Sequence, residues 1–140
     1  MAKKNEEPWH CLSVHQPWAW AIITGAKDVE NRSWLSNYKG RLHIHAARTE
    51  RDDTVVEEVI EQVARHLRIP VAAAREYYQR HRERGFGAII GSVRMRGCAT
   101  SWDSEWHDPE QYGFVLTDAQ PLDTPIPCKG RRRIFKFTPP

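Results

Sequence analysis

The sequence has no apolar run close to the roughly 20 residues that a membrane-spanning helix needs. Its first eight residues are polar and lack the apolar core of a signal peptide, so neither membrane insertion nor export is predicted. Cysteine is scarce too, because only Cys11, Cys98 and Cys128 are present and they lie far apart. This spacing predicts reduced thiols in a cytoplasmic protein and disfavours a disulfide framework.

Motifs that hold common cofactors are also missing. There is no glycine-rich phosphate loop, no dinucleotide fingerprint and no Gly-x-Ser-x-Gly nucleophile elbow. His43 and His45 share one face of a predicted strand, but a metal would need a third ligand. The candidates, such as His107 or Asp108, do not lie at a spacing that defines a metal site. We therefore predict no metal and no cofactor.

The charges that are present are unevenly distributed. The net charge of +3 permits nucleic-acid binding without requiring it. Residues 48–84 contain eight Arg but also eight Asp or Glu, so that region is neutral. Few acids offset the basic run formed by Lys129, Arg131, Arg132 and Arg133. If a polyanion docks, we expect it to meet this basic run first.

The 140 residues predict one domain at 9–140 after a disordered tail at 1–8. A helical hairpin is expected at about 53–85, with a capping box from Thr54 to Glu57 and a second helix starting at Pro70. Five strands are expected at 9–14, 40–47, 87–95, 113–117 and 131–138, and prolines 121, 125 and 127 mark an extended connector. The fold class is therefore α+β, with a small mixed β-barrel and peripheral helices.

A short helix after the first strand carries two tryptophans. Pro17 suits its first turn and Gly25 suits a left-handed cap at its end. Its inward face repeats at helical spacing, and Trp18 and Trp20 lie on either side of that face. The helix is thus predicted to be a packing element with tryptophans at its flanks.

The segment after Gly25 concentrates charge. Glu30 and Arg32 share a face if the segment is a strand, and Lys27 lies where the chain turns, so that it can reach the same side. A carboxylate between two cations accepts hydrogen bonds well and is a poor general acid. This pattern favours recognition of an amine or amide edge, although a surface ion-pair cluster is an equally good explanation of the spacing alone.

Residues 12–19 (LSVHQPWA), residues 25–34 (GAKDVENRSW), Gly40 and residues 44–46 (IHA) together resemble the ASCH domain family. Residues 87–91 (GAIIG) and 127–130 (PCKG) extend the resemblance over most of the chain. It implies a PUA-like mixed barrel that binds RNA or a nucleic-acid component in a cleft beside the first helix. By position, Lys27, Glu30 and Arg32 would be the polar cleft residues.

The resemblance also implies neighbours for that cleft. Gln16 and Trp18 would stand at its rim. Apart from the resemblance, a tryptophan near these cations, Trp18 or Trp34, can stack on a base, although core packing is the better explanation for any single tryptophan. His45 matches the family motif, and its role there is consistent with a structural one.

Two enzymatic branches of the resembled family give an alternative, in which Lys27 is the catalytic residue. One branch removes acyl groups from cytidine with a Lys, a Thr and a Glu, but Glu30 stands where the Thr nucleophile is expected. The other cleaves single-stranded RNA. The leading hypothesis remains an RNA or modified-nucleoside binding domain, and a protein-interaction module that uses the helical hairpin is a further alternative.

Overall fold

The structure is a computed structural model that describes residues 7–140, so the predicted tail at 1–8 lies mostly outside the described residues. Six strands and three helices follow one another within residues 7–140. They are β1 (Trp9–Gln16), α1 (Trp18–Ile23), β2 (Val29–Arg32), β3 (Gly40–Glu50), α2 (Asp53–Leu67), α3 (Val71–Arg82), β4 (Ala88–Ala99), β5 (Tyr112–Pro127) and β6 (Ile134–Phe137). In this described part of the chain, no helix is both long and apolar enough to cross a bilayer.

All six strands belong to one sheet, in the order β2-β5-β4-β3-β1-β6. The β1–β3 pair is parallel and the other four pairs are antiparallel. A barrel would require its two outermost strands to meet, and here β2 pairs only with β5 while β6 pairs only with β1. The mixed α+β class is confirmed, but the predicted closure into a barrel is wrong, because these two edge strands are only four residues long and remain apart.

Helix α1 separates two apolar cores. Ala19, Ile22 and Ile23 pack with the inward residues of β1, β3, β4 and β5. On the opposite side, Trp20 and Ala21 pack with α2 and α3. Trp20 is 1% exposed and its ring contacts the rings of Tyr77 and Tyr78. The prediction that Trp20 only flanks the packing face is therefore wrong, because the hairpin supplies a second core on that side.

The hairpin starts differently from the sequence pattern. Asp52 caps α2, and its carboxylate accepts a hydrogen bond from the backbone N–H of Val55 at 3.0 Å. The predicted capping box is wrong, because Glu57 instead pairs with Arg75 of α3. Helix α3 was predicted to start at Pro70 and begins one residue later, at Val71, with Pro70 at the N-cap position. The Glu57–Arg75 pair thus joins the two helices of the hairpin.

Strand β5 continues through the segment that was predicted to be a connector. Proline lacks a backbone N–H and is tolerated in sheets at edges and bulges. The β4–β5 register shifts three times, and Pro121 lies opposite Gly91 next to one shift. A Cβ atom on Gly91 would lie 2.6 Å from the Gln120 carbonyl oxygen, so only glycine allows this close approach.

Candidate functional site

Two adjoining cavities open beside α1. The first cavity has a volume of about 470 Å³ and lies between β2, α2 and the loop at 101–111. The second cavity, of about 380 Å³, lies between the end of β1 and the end of β2. Four residues line both of them: Trp18, Glu30, Asn31 and Gln111. We refer to the two cavities together as the cleft.

The turn after α1 carries Lys27 into the cleft. Gly25 adopts a positive φ of 88°, which glycine adopts at little cost, and its N–H bonds to the Ile22 carbonyl at 3.0 Å. The Lys27 backbone N–H then bonds to the Ala21 carbonyl at 3.1 Å. The helix cap predicted at Gly25 is confirmed, and the reversed chain turns the Lys27 side chain toward β2.

Lys27, Glu30 and Arg32 form one charged cluster, which we call the cleft cluster. Lys27 Nζ lies 3.6 Å from Glu30 Oε1 and donates a 2.6 Å hydrogen bond to the Val29 carbonyl. Arg32 Nη2 lies 2.9 Å from Glu30 Oε2 and donates to the Ser13 carbonyl at 2.8 Å. The residues that the sequence predicted to converge do lie together.

The cleft cluster is largely shielded from water. The side chains of Lys27 and Glu30 are 4% and 10% exposed, whereas that of Arg32 is 23% exposed. Burial lowers the pKa of Lys27 from its ordinary value, and the charge of Glu30 opposes part of that shift. An ion pair this buried is not the surface cluster that the spacing alone allowed.

Three tryptophans border the cleft, each beside a cation. Trp18 lines both cavities, and the Arg51 guanidinium lies 5.3 Å from its ring centre. Trp34 lines the second cavity with Arg133 at 5.0 Å, and Trp106 lines the first with Lys27 Nζ at 5.2 Å. Arginine and lysine are attracted to the faces of such rings, and a nucleobase can stack on the same faces.

The loop that carries Trp106 is fixed to β2. The Asn31 side chain donates to the Trp106 carbonyl at 2.8 Å and accepts from the Asp108 N–H at 2.9 Å. Trp106 is 8% exposed, so this loop is docked and not freely solvated. It brings Glu105 and Asp108 into the wall of the first cavity, opposite Glu58 of α2. The sequence analysis named Asp108 as a possible metal ligand and missed Glu58 and Glu105. The signal for this loop was two tryptophans in an otherwise polar stretch.

Gln16 lies outside both cavities. It is fully buried, and its Oε1 accepts a hydrogen bond from the Trp20 N–H at 2.9 Å. Its Nε2 donates to the Gly85 carbonyl at 2.9 Å and lies 2.7 Å from His81 Nε2. Because the Gln16 amide nitrogen is the donor, His81 Nε2 must be an acceptor, which requires a neutral ring. Burial accordingly lowers the pKa of His81 from 6.5 to about 4.

His45 also lies outside both cavities. Its Nε2 donates to the Cys128 carbonyl at 2.6 Å, so its Nδ1 is left to accept from the Ser13 hydroxyl at 2.9 Å. Burial lowers the pKa of His45 and favours this neutral form. The ring of His43 stacks on Trp9 at 3.8 Å between centres. The structure thus gives the two histidines separate packing partners.

The basic run contacts the border of the second cavity through Arg133. Lys129, Arg131 and Arg132 are exposed, and Arg133 reaches back to the ring of Trp34. Arg133 has a positive φ of 56°, which bends the chain before β6. The predicted electrostatic residues therefore adjoin the cleft through the Arg133–Trp34 contact.

Comparison with known proteins places the chain in a family context. A family profile described as "ASCH domain" matches residues 12–122. The chain is 30% identical over 135 residues to activating signal cointegrator 1 from Homo sapiens and 29% identical to the same protein from Mus musculus. Each match covers 91% of this chain, which spans 22% of the length of each relative.

A solved structure is also similar. It is that of a mutant of ZmASCH from Zymomonas mobilis, with a TM-score of 0.47 and 17% identity. The match covers 84% of this chain and 74% of that one.

Proposed function

Because the chain belongs to the ASCH domain family, we propose that it binds RNA or a modified nucleoside, and that the ligand occupies the cleft beside α1. The observation that carries this proposal is the convergence of Lys27, Glu30 and Arg32 at a cleft bordered by Trp18 and Trp34. We expect the protein to act in the cytoplasm.

Glu30 is the residue proposed to recognise the hydrogen-bonding edge of the base. Each carboxylate oxygen has two lone pairs. Glu30 Oε2 is contacted by both Nε and Nη2 of Arg32, whereas Oε1 has the longer 3.6 Å contact with Lys27 Nζ. A free lone pair can therefore accept a hydrogen bond from an exocyclic amine. Lys27 and Arg32 hold the carboxylate ionised and oriented, so that little rearrangement is needed on binding.

The tryptophans supply stacking, and the arginines supply charge. Trp18 and Trp34 both line the second cavity, and Arg51 and Arg133 lie over their rings. Stacking of a base on an aromatic side chain contributes about 1–3 kcal/mol. Arg32 and Arg133 are placed to meet the phosphates, and the basic run extends this positive surface beyond the cleft.

A salt titration with single-stranded RNA tests the proposal. Fluorescence anisotropy would give the affinity of the wild-type chain at several salt concentrations. Each phosphate contact is expected to add a slope of about −0.7 to log K against log salt. The variant K129S/R131S/R132S should lower the magnitude of that slope by up to about 2, in proportion to the contacts removed.

The matched control variant is R68S/R80S/R84S, which removes three exposed arginines of the hairpin region. Its net charge changes equally, so its salt slope should stay close to that of the wild type. An equal loss in both variants would mean that general charge, and not the basic run, attracts the RNA. No binding of RNA or nucleosides at low salt would end the proposal.

Hydrolysis in the same cleft is the second candidate function. One observation favours it. Lys27 is buried beside a cavity and its pKa is lowered, as is typical of a lysine that acts as a general base or a nucleophile in catalysis. The anisotropy samples can be examined for RNA cleavage on gels. Cleavage that disappears in a folded K27M variant would support hydrolysis, and cleavage that survives would exclude Lys27 as its catalytic residue.

A further inference from the structure

The wall of the first cavity is acidic. Among the described residues that line it are four carboxylates and one cation of the Lys or Arg type, Lys27. The charge of Lys27 is already balanced by Glu30 within the cleft cluster, and Glu30 is also paired with Arg32. Arg65 lies 3.8 Å from Glu105 on the exposed side. The lining carboxylates are Glu30, Glu58, Glu105 and Asp108.

The negative charge of this wall disfavours a phosphate in the first cavity. A phosphate in the first cavity would meet Glu58 and Asp108, and like charges at short range repel each other. The lining also contains Trp18 and Trp106, and the faces of indole rings attract cations. Carboxylates and indole rings together favour a flat ligand with a positive charge.

The second cavity has the complementary character. Arg32 lines it, Arg133 reaches it over Trp34, and within residues 7–140 Glu30 is the one carboxylate in its lining. The two cavities share Trp18 and Glu30, so one ligand can extend from one to the other. A ligand with a cationic ring at one end and a phosphate at the other matches this division.

Resting on the nucleic-acid ligand proposed above, we infer that the first cavity takes a nucleobase carrying a positive charge, such as a ring-methylated base, while the attached phosphate lies in the second cavity. The first cavity's 470 Å³ is within the range of about 300–1,000 Å³ typical of small-ligand sites. A methylated lysine of a peptide would also suit an acidic aromatic cavity, but its peptide chain gains nothing from Arg32 and Arg133. The adjoining basic cavity therefore favours the nucleotide.

The test compares three nucleosides. 3-Methylcytidine carries a positive ring at neutral pH, 5-methylcytidine adds the same methyl group without the charge, and cytidine has neither. Affinities would come from NMR titration of the indole N–H signals of Trp18 and Trp106, with buried Trp20 as the internal reference. We expect 3-methylcytidine to bind roughly tenfold more tightly than 5-methylcytidine, because only the former gains the cation–ring and carboxylate attraction.

A variant that neutralises two wall carboxylates tests whether they cause the preference for 3-methylcytidine. Glu58→Gln with Glu105→Gln removes two exposed carboxylates from the wall and should reduce the preference for 3-methylcytidine over 5-methylcytidine roughly five- to tenfold. The control pair Glu61→Gln with Glu83→Gln changes the net charge equally, away from the cavity, and should keep the preference.

Three results would overturn the inference. Equal affinities for the three nucleosides, alongside salt-dependent RNA binding, would exclude the cationic base and leave the proposed function intact. Tighter binding of a trimethyl-lysine peptide than of 3-methylcytidine would assign the cavity to a protein ligand. Absence of binding by every nucleoside and by RNA would remove both proposals together.

Discussion

Among the described residues, we compare two clusters that place a carboxylate among donors: one borders the cavities of about 470 and 380 Å³ that form the cleft, and the other borders a smaller cavity of about 270 Å³. In the cleft cluster, Glu30 lies between Lys27 and Arg32. In the second, which we call the hairpin cluster, Glu50 at the end of β3 accepts two 3.0 Å hydrogen bonds from Arg82 and a further bond from the Tyr78 hydroxyl. The types of charge are the same, so charge pattern alone does not mark a binding site.

The two clusters differ in how many hydrogen bonds the carboxylate oxygens accept within the protein. Both Glu50 oxygens are occupied by the fork of Arg82, and Tyr78 adds a third donor from the buried face of α3. Burial alone would raise the pKa of Glu50, but these hydrogen bonds hold it below its usual value. The hairpin cluster joins α3 to the sheet, whereas the cleft cluster keeps acceptor capacity for a ligand.

The largest expected effect follows from breaking the cleft cluster. Glu30→Gln leaves Lys27 buried without its counter-charge, and removal of one partner of a buried pair costs about 3–5 kcal/mol. We expect the free energy of unfolding in urea to fall by about 3 kcal/mol and ligand affinity to be lost in the fraction that remains folded. K27M/E30Q should recover most of the stability but not the binding.

The matched substitution is Glu50→Gln in the hairpin cluster. Its carboxylate is 22% exposed, so we expect a loss of only about 1–2 kcal/mol and no change in ligand affinity. If Glu50→Gln reduced affinity as much as Glu30→Gln, the distinction between a structural and a ligand-facing cluster would be wrong.

An intermediate effect is expected from pH, through the contact between Gln16 and His81. The unfolded chain takes up a proton on His81 near pH 6.5, but the folded chain does so only near pH 4. The unfolded state therefore binds more protons between these values, and stability present above pH 6.5 is lost as the pH falls toward 4. The total loss from this group is on the order of 2 kcal/mol after allowance for its partial exposure.

Urea unfolding of His81→Gln across this pH range would measure the contribution. The slope of stability against pH should decrease by up to about 1.4 kcal/mol per pH unit, which is the value for one proton. His66→Gln, at an exposed position of α2, is the control and should leave the slope as it is in the wild type. An unchanged slope in His81→Gln would contradict the neutral ring assigned to His81.

The smallest effect is expected from Tyr78→Phe, which removes one donor to Glu50 and leaves the buried ring in place. A hydrogen bond to a charged group contributes about 1.5 kcal/mol or slightly more. Tyr77→Phe, 43% exposed, should change the free energy of unfolding by less than about 0.5 kcal/mol. Equal losses would show that the hydroxyl of Tyr78 contributes nothing specific to the hairpin cluster.

Local patterns predicted the parts of this fold that depend on neighbours in the chain. The cap at Gly25, the second helix after Pro70 and the alternation of β3 all rest on interactions within a few residues. The convergence of Lys27, Glu30 and Arg32 was also predictable, because the three residues lie in one turn and the strand that follows it.

Contacts between distant segments were not predictable in this way. Asp52 replaces the expected cap because Glu57 has a better partner in Arg75, 18 residues away. Asn31 reaches a loop 75 residues further along the chain, and this contact builds the first cavity. Gln16 matched a motif, yet the hydrogen bonds of its side chain tie α1 to the end of the hairpin. No periodicity within a single element encodes any of these pairings.

Helix α1 has only six residues, yet both of its sides are buried. A helix this short is unstable alone, so its survival depends on both cores being present at once. If α2 and α3 were to open, Trp20 would be exposed to water and α1 would lose the support that holds Lys27 in place. We therefore expect the hairpin and the sheet to unfold together as one cooperative unit.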